Sequence, residues 1–235
     1  MKNIKLLLLT IGMFIIQISA VQSQISVMDS ETILDKLRLN KGENGANANM
    51  YSDITGDPYL FKDFKQGKLI TNSGKTIDVN IRYDMYSNAM QIKDKNEIYG
   101  IIHPEKLLSI EVDSLIFIYS KYMKSSDETP EKVGSYFILK TDGKCKLLVK
   151  KNIRIQDSEP AKPYQDAKPA KFIVKDDTYF LKIKDGVAKK IRSEKELLSV
   201  LSDQKEKLSK FISSNNLHFK NVVHLHQIVS YYNGL

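Results

Sequence analysis

The sequence reads TIDVNIRY over residues 76–83, with an apolar side chain at every second position from Ile77 to Tyr83. Because successive side chains of a strand point to opposite faces of a sheet, this alternation predicts a strand with one buried face. The turn sequence Asn-Ser-Gly-Lys at 72–75 precedes it, and a short apolar run comes before that turn. The two runs are therefore expected to form an antiparallel hairpin.

The same period of two continues through the middle of the chain. Turn sequences such as Asp113-Ser114 and Asp142-Gly143 separate the runs. Further strands are predicted at 68–71, 89–93, 97–102, 107–112, 115–123, 135–141 and 144–156. Residues 115–119 are apolar at every position, so both faces of this strand are expected to be buried, either because the sheet is covered or because it curls and places the strand centrally.

The C-terminal quarter changes from strands to helices. Residues 172–175 and 178–183 are strand-like, and Asp176-Asp177 between them predicts a hairpin turn. Asp185-Gly186 predicts a second turn before the apolar residues that end at Ile191.

Three short amphipathic helices follow. Ser193 and Glu196 have the spacing of a capping box, and so do Asp203 and Glu206, while Asn221 is placed to cap the last helix. The fold class is therefore predicted as α+β: an antiparallel β-meander or partial barrel, followed by a β-hairpin and three short C-terminal α-helices.

The N-terminus has the layout of a secretory signal peptide. Lys2 and Lys5 precede an apolar run over Leu6–Ile18, and small residues follow, with cleavage predicted after Ala20 or Ser23. The run is short for a membrane anchor, and no later segment is long and apolar enough to span a bilayer. The mature protein is expected to be exported, to the periplasm or the extracellular medium, with no transmembrane segment after signal cleavage.

The chain has one cysteine, Cys145. A single thiol excludes an internal disulfide and any metal cluster that needs several cysteines, and no cysteine stands near the cleavage site to carry a lipid. The protein is therefore not expected to be a lipoprotein. Cys145 lies in an apolar, strand-like run, which favours a buried residue over a nucleophile.

These features give five predicted segments. They are a signal peptide (1–23), a flexible lead-in with a short helix over 29–39 (24–57), an antiparallel β domain (58–156), a Pro-rich strap (157–170), and a hairpin plus helical C-terminal region (171–235).

The positive charge of the chain is concentrated near its C-terminus. The formal net charge is +8, and residues 171–235 carry 12 basic and 7 acidic residues. Lys189, Lys190 and Lys210 belong to this region, which could dock on a polyanion or an envelope surface. No arginine cluster or aromatic stacking platform accompanies these lysines, so a nucleic-acid partner is not expected.

The chain resembles an uncharacterised group of exported bacterial proteins that are β-rich with a helical C-terminus. The residues that carry the resemblance are Pro58–Phe64, Gly67-Lys68, Ile81–Ser87, Ala161–Tyr164 and Tyr231–Asn233. The resemblance implies a shared fold and an exported location, and it implies no activity.

No catalytic, cofactor-binding or metal-binding residue is assigned, and no cofactor is expected. His224 and His226 are two residues apart, a spacing that does not place two side chains on one face of a helix. The run 53–57 alternates oxygen ligands but lacks the further acids of a calcium loop. Asp84 and Asp94 could serve a glycoside hydrolase only within about 10 Å of each other.

The sequence therefore predicts an exported, non-enzymatic binding or interaction module, for a small apolar ligand or an envelope protein. Two alternatives stay open. One is a hydrolase with a dispersed carboxylate site, and the other is polyanion or envelope-surface docking through the basic C-terminal region.

Overall fold

The computed structural model describes residues 51–95, 97–124 and 131–235, together with Thr32, Leu34, Asp35 and Leu37. The chain divides into two units, 1–38 and 39–235. In the first unit the four described residues are helical, within the short helix predicted over 29–39. The predicted signal peptide and most of the predicted lead-in lie outside the described residues.

Ten strands of the described residues form one open antiparallel sheet. They are β1 (Lys65–Thr71), β2 (Thr76–Asp84), β3 (Ala89–Asp94), β4 (Glu97–Gly100), β5 (Leu107–Val112), β6 (Leu115–Lys124), β7 (Glu131–Thr141), β8 (Cys145–Gln156), β9 (Lys171–Ile183) and β10 (Lys189–Ile191). The α+β class with a meandering sheet is thus confirmed.

The order of the strands is β10-β9-β8-β7-β6-β5-β1-β2-β3-β4. Two meanders, β1 to β4 and β5 to β10, are joined where the chain passes through a 3₁₀ turn, Pro104–Lys106, and β5 returns to pair with β1. Strand β6 lies in the middle of the sheet, which is one of the two predicted arrangements. Its faces are not both buried, because Phe117 is 1% exposed but Ile116 is 39% exposed. Among the described residues the C-terminal helices pack mainly against β7, β8 and β10, and Ile116 in β6 stays partly exposed.

The first meander curls over the middle of the sheet. The alternating apolar residues of β2 are all buried, which confirms the predicted inward face. The ring of Tyr83 lies 5.4 Å from that of Phe117 in β6 and 6.0 Å from that of Tyr136 in β7, between ring centroids. Strand β2 is three strands away from β6 in the sheet order, so these contacts require a curled sheet.

The second meander curls until its second strand, β6, meets the segment that precedes its last strand, β10. The backbone N–H of Ala188 donates to the carbonyl of Lys121 at 2.9 Å, and Tyr122 and Ala188 form a parallel bridge. A small core of Phe137, Leu148, Phe180 and Ala188 fills the inside of the curl. Strands β6 to β10 thus form the partial barrel within the open sheet.

Three helices follow β10: α1 (Glu194–Val200), α2 (Lys205–Ser214) and α3 (Val222–Asn233). Ser193 Oγ accepts from Glu196 N–H at 3.2 Å and Asn221 Oδ1 accepts from Val223 N–H at 2.9 Å, so both predicted caps are confirmed. The predicted Asp203 cap of α2 is wrong, because its carboxylate accepts instead from the Tyr232 hydroxyl at 3.1 Å.

The helices bury their apolar side chains against the outer face of the curl. The main buried cluster joins three strands to the three helices. It contains Leu147, Leu181 and Ile191 from the strands, and Leu197, Leu201, Leu208, Leu225 and Val229 from the helical region. The apolar faces of these helices therefore contribute most of this cluster, which is larger than the small core inside the curl.

Strand β9 runs unbroken for 13 residues, so the predicted turn at Asp176-Asp177 is wrong. The Asn152 amide donates to the carbonyl of Asp176 at 2.7 Å and to Thr178 Oγ1 at 2.9 Å. The register shifts here because two β9 residues, Asp176 and Asp177, lie opposite the single β8 residue Lys151, so β9 carries the extra residue as a bulge. The hairpin that precedes the helices is formed by β9 and β10.

The Pro-rich segment 157–170 extends the β8–β9 hairpin instead of lying as a strap over the sheet. Glu159 and Lys168 exchange backbone hydrogen bonds of 2.9 Å, and Lys162 bonds with Gln165. At the other side of β9, Thr55 from the predicted lead-in bonds with Ala170 at 2.8 Å and with Phe172 at 2.9 Å.

Candidate anion-binding cleft

The candidate site lies where β6 and β10 part. Beyond the bridge between Tyr122 and Ala188, β6 continues to Lys124 and β10 continues to Ile191, and no further bridge joins these two described segments. The two strands enclose a cleft of about 490 Å³. We call it the basic cleft. Its lining residues are Tyr122, Met123, Lys124, Lys150, Asn152, Thr178, Phe180, Lys189, Lys190 and Arg192.

Charge is the main property of the basic cleft. Five of the lining residues are cations and none is an acid. Lys124 stands on one rim, and Lys189 and Lys190 stand on the other. Like charges on facing strands disfavour pairing, which agrees with the end of the ladder at Ala188. The same charges raise the local concentration of anions around the opening.

Most of these cations have no ion pair within 4 Å among the described residues, although Glu131 is the cross-strand partner of Lys124. Among the described residues, Lys124, Lys189 and Lys190 have no acidic partner within 4 Å, and all three are exposed. Arg192 has a loose ion pair, with Nη1 at 3.9 Å from Glu196 Oε1. The cationic rim is therefore available to an anion from solution.

An aromatic cluster forms the floor of the basic cleft. The Tyr122 ring packs edge-on against Phe137 and Phe180, at 5.8 Å and 5.3 Å between centroids. Lys150 Nζ donates to the Tyr122 hydroxyl at 3.2 Å and lies 5.1 Å above the ring. Packing on three sides fixes this floor, and it places one lysine at a defined position.

A second cleft, of about 650 Å³, adjoins the first and shares Thr178, Lys190 and Arg192 with it. We call it the side cleft. It adds two cations, Lys175 and Lys220, and two acids, Asp176 and Asp177, to its lining. Asp177 is paired with Lys151 at 2.9 Å. Phe219 packs edge-on against Tyr179 at 6.2 Å, and burial, with a smaller effect of the two carboxylates, raises the pKa of Tyr179.

The structure separates the lysines that the sequence grouped together. Lys189 and Lys190 line the basic cleft, whereas Lys210 lies on α2, outside the lining of both clefts. Sequence reasoning missed Lys124 and Lys150, because residues 24–170 have almost balanced charge. No local pattern marks these two lysines, since only the curl of the sheet brings them to β10.

The three C-terminal histidines form separate contacts. His224 Nδ1 accepts from the backbone N–H of His218 at 2.9 Å. His226 Nδ1 lies 2.8 Å from Thr141 Oγ1 and 3.1 Å from the carbonyl of Lys140. In the described ranges no group of three or more His, Cys, Asp or Glu side chains could hold a metal ion.

The carboxylates considered for hydrolysis lie far apart. Asp84 is the cross-strand partner of Ala89, at the start of β3, and Asp94 ends that strand five residues later. At about 3.3 Å per residue the separation is about 16 Å. Asp84 is also buried, and its carboxylate accepts from the backbone N–H groups of Tyr86 and Ser87 and from the Tyr51 hydroxyl, at 2.9–3.0 Å.

The calcium-like run 53–57 is tied to its own turn and to β9. Asp57 Oδ1 accepts from the backbone N–H of Tyr59 at 2.9 Å, and Thr55 Oγ1 donates to the carbonyl of Ala170 at 3.0 Å. Two of its oxygen-bearing side chains are thus engaged in local structure.

Cys145 is fully buried, as the sequence predicts. Burial raises the pKa of its thiol to about 12. Because the thiolate is the reactive form, the geometry does not suit Cys145 to nucleophilic chemistry near neutral pH.

In the part of the chain that the structure describes, no helix combines the length and apolar character needed to cross a bilayer. Comparison of the chain with protein-family models, curated proteins and solved structures found no match. The resemblance to exported bacterial proteins therefore stays a prediction.

Proposed function

We propose that the protein is an exported binding module that holds an anionic ligand in the basic cleft. The observation that carries this proposal is the lining of one opening by five cations and no acid. The exported location rests on the signal-peptide pattern of residues 1–23.

The proposal departs from the apolar carrier that the sequence favours. Apolar ligands bind in pockets lined mainly by hydrophobic side chains. Phe180 is only 2% exposed, and among the apolar residues of the lining Met123 is the strongly exposed one, so lysines dominate the open part of the cleft. A hydrolase has less support, because Asp84 and Asp94 are about 16 Å apart along β3. The polyanion alternative fits the lining better than either.

The test measures binding of a fluorescein-labelled heparin tetrasaccharide by fluorescence anisotropy over a series of salt concentrations. The variant Lys124→Gln/Lys189→Gln removes one charge from each rim. At about 0.5–1 kcal/mol for each exposed contact, the loss is about 1–2 kcal/mol, or roughly five- to thirtyfold in Kd. Affinity of the wild-type protein should fall steeply as salt rises, because salt screens exposed charges.

The matched control is Lys207→Gln/Lys210→Gln. It removes the same charge from exposed positions of α2, outside the lining of both clefts. The control should bind within about twofold of the wild-type protein. Equal losses in both variants would show that net charge alone attracts the probe, and binding insensitive to salt would also refute the proposal.

A further inference from the structure

We propose that the ligand is an acidic polysaccharide whose chain lies across both clefts. This inference rests on the proposed function, and it adds the class and the length of the ligand. It follows from the continuity of the two clefts, the number of cations along them and the character of the aromatic rings beside them.

The two clefts form one continuous surface. Thr178, Lys190 and Arg192 line both, so the side cleft begins where the basic cleft ends. Along β9 the surface extends from Phe180 in the basic cleft to Lys175 in the side cleft. Five residues of strand span about 17 Å. This length far exceeds a single phosphate, sulfate or carboxylate group and suits a chain of linked units.

The charges along this surface also favour a repeating anion. Its seven cations are Lys124, Lys150, Lys175, Lys189, Lys190, Arg192 and Lys220. Asp176 and Asp177 belong to the side cleft, and Lys151 neutralises the second of them. One small anion contacts only a few of these groups, whereas a chain with a charge on each unit meets them in succession.

The aromatic residues favour a polysaccharide over a single-stranded nucleic acid. Base binding relies on exposed ring faces on which bases stack. Here Phe180 is buried, Lys150 lies above the Tyr122 ring, and Phe219 meets Tyr179 edge-on. Six of the seven cations are lysines, which act as point charges and suit separate sulfate or carboxylate groups.

The experiment compares heparin fragments of two lengths, a tetrasaccharide and a dodecasaccharide, both labelled with fluorescein. We expect the dodecasaccharide to bind the wild-type protein at least tenfold more tightly. The variant Lys175→Gln/Lys220→Gln removes two charges that line only the side cleft. It should weaken dodecasaccharide binding about fivefold and change tetrasaccharide binding by less than twofold.

The variants separate the failure of this inference from the failure of the proposed function. Suppose the tetrasaccharide binds and Lys124→Gln/Lys189→Gln weakens it, but the side-cleft variant leaves dodecasaccharide binding unchanged. The extended ligand is then refuted and the anion site stands. If neither fragment binds, or Lys207→Gln/Lys210→Gln weakens both fragments as much as the cleft variants do, both proposals fail.

A third probe tests the class of ligand. Single-stranded oligothymidine with the same number of charges as the dodecasaccharide should bind more weakly than the dodecasaccharide, because the aromatic rings that line the clefts are buried or only partly exposed. Tighter binding of the oligothymidine would overturn the assignment to a polysaccharide.

Discussion

The hydroxyl of Tyr136 allows a direct test of the curled packing between the two meanders. Tyr136 is 4% exposed, and its hydroxyl is buried without a hydrogen-bond partner among the described residues. The neighbouring Tyr83, at 6.0 Å between ring centroids, donates its hydroxyl to Asn88 Oδ1 at 3.0 Å. Of these two buried tyrosines, Tyr83 has a hydrogen-bond partner for its hydroxyl and Tyr136 has none among the described residues.

Removal of the Tyr136 hydroxyl should stabilise the protein, whereas removal of the Tyr83 hydroxyl should destabilise it. A buried hydroxyl without a partner costs about 1–3 kcal/mol, so Tyr136→Phe should raise the free energy of unfolding by about 1 kcal/mol. Tyr83→Phe loses one hydrogen bond and should lower it by about 0.5–1 kcal/mol. The lower end of that range is expected, because Asn88 Oδ1 still accepts from Ser135 Oγ at 2.9 Å. At this chain length the melting temperature should shift by about 2–4 °C per kcal/mol.

The assay is urea unfolding of the wild-type protein and both variants, followed by circular dichroism, with thermal melts as a second measure. Equal m values would show that the variants unfold from the same native state. If Tyr136→Phe lowers the free energy of unfolding by more than about 0.5 kcal/mol, its hydroxyl has a partner and the reasoning is refuted. A loss of similar size in both variants leads to the same conclusion.

Two further predictions concern the C-terminal helix and the buried thiol. The Asn233 side chain accepts from the N–H of Cys145 at 2.8 Å and donates to the carbonyls of Cys145 and Asp142 at 2.9 Å and 3.1 Å. Asn233→Ala should therefore lower the unfolding free energy by about 2–4 kcal/mol in urea titrations, against less than about 1 kcal/mol for Asn215→Ala, which loses one exposed bond to Phe211. Burial raises the thiol pKa of Cys145 from an ordinary value of 9.0 to about 12 in the folded state. The unfolded chain therefore loses the thiol proton at a lower pH than the folded chain, so the free energy of unfolding falls as pH rises from about 9 to 12. In urea titrations between pH 8 and 11, the free energy of unfolding should fall with pH less steeply in Cys145→Ala than in the wild-type protein. The difference in slope should be up to about 1.4 kcal/mol per pH unit, and equal slopes would contradict the buried thiol.

The sequence predicts the elements whose signals are local. The alternation of apolar residues in β2 predicts which of its side chains face inward. The predicted turn residues Asp113 and Ser114 lie between β5 and β6, with φ values of 48° and 62°. Ser193 and Asn221 cap the helices that they are predicted to cap. Each signal depends on neighbouring residues, so tertiary contacts do not change it.

Errors arise where a distant group changes a local preference. Asp176-Asp177 has the composition of a turn, but the two residues form a bulge inside β9, where the Asn152 side chain of β8 donates to the backbone carbonyl of Asp176. Asp203 has the spacing of a helix cap, but its carboxylate accepts a hydrogen bond from the Tyr232 hydroxyl of α3. Neither partner is close in sequence, so no reading of the local pattern would find it.

The positive charge of residues 171–235 can be counted from the sequence, whereas the cleft cannot be found there because it depends on contacts between distant strands. Lys189 and Lys190 belong to the basic C-terminal quarter, but Lys124 and Lys150 come from a segment with balanced charge. They meet only because the curl brings β6 and β10 side by side, although 64 residues lie between the end of β6 and the start of β10. The cleft is a property of the sheet's curl.

The residues around Ala188 show why the curl stays open at this point. Ala188 is fully buried inside it, and Ile191 is buried on the helix side, but the two lysines between them are exposed. Further pairing of β10 with β6 would bring lysines on facing strands close together, and like charges in that arrangement disfavour pairing. Exposed lysines without partners contribute little to stability. Their replacement by glutamine should therefore leave the fold intact, and a loss of binding in Lys124→Gln/Lys189→Gln can then be assigned to the cleft itself.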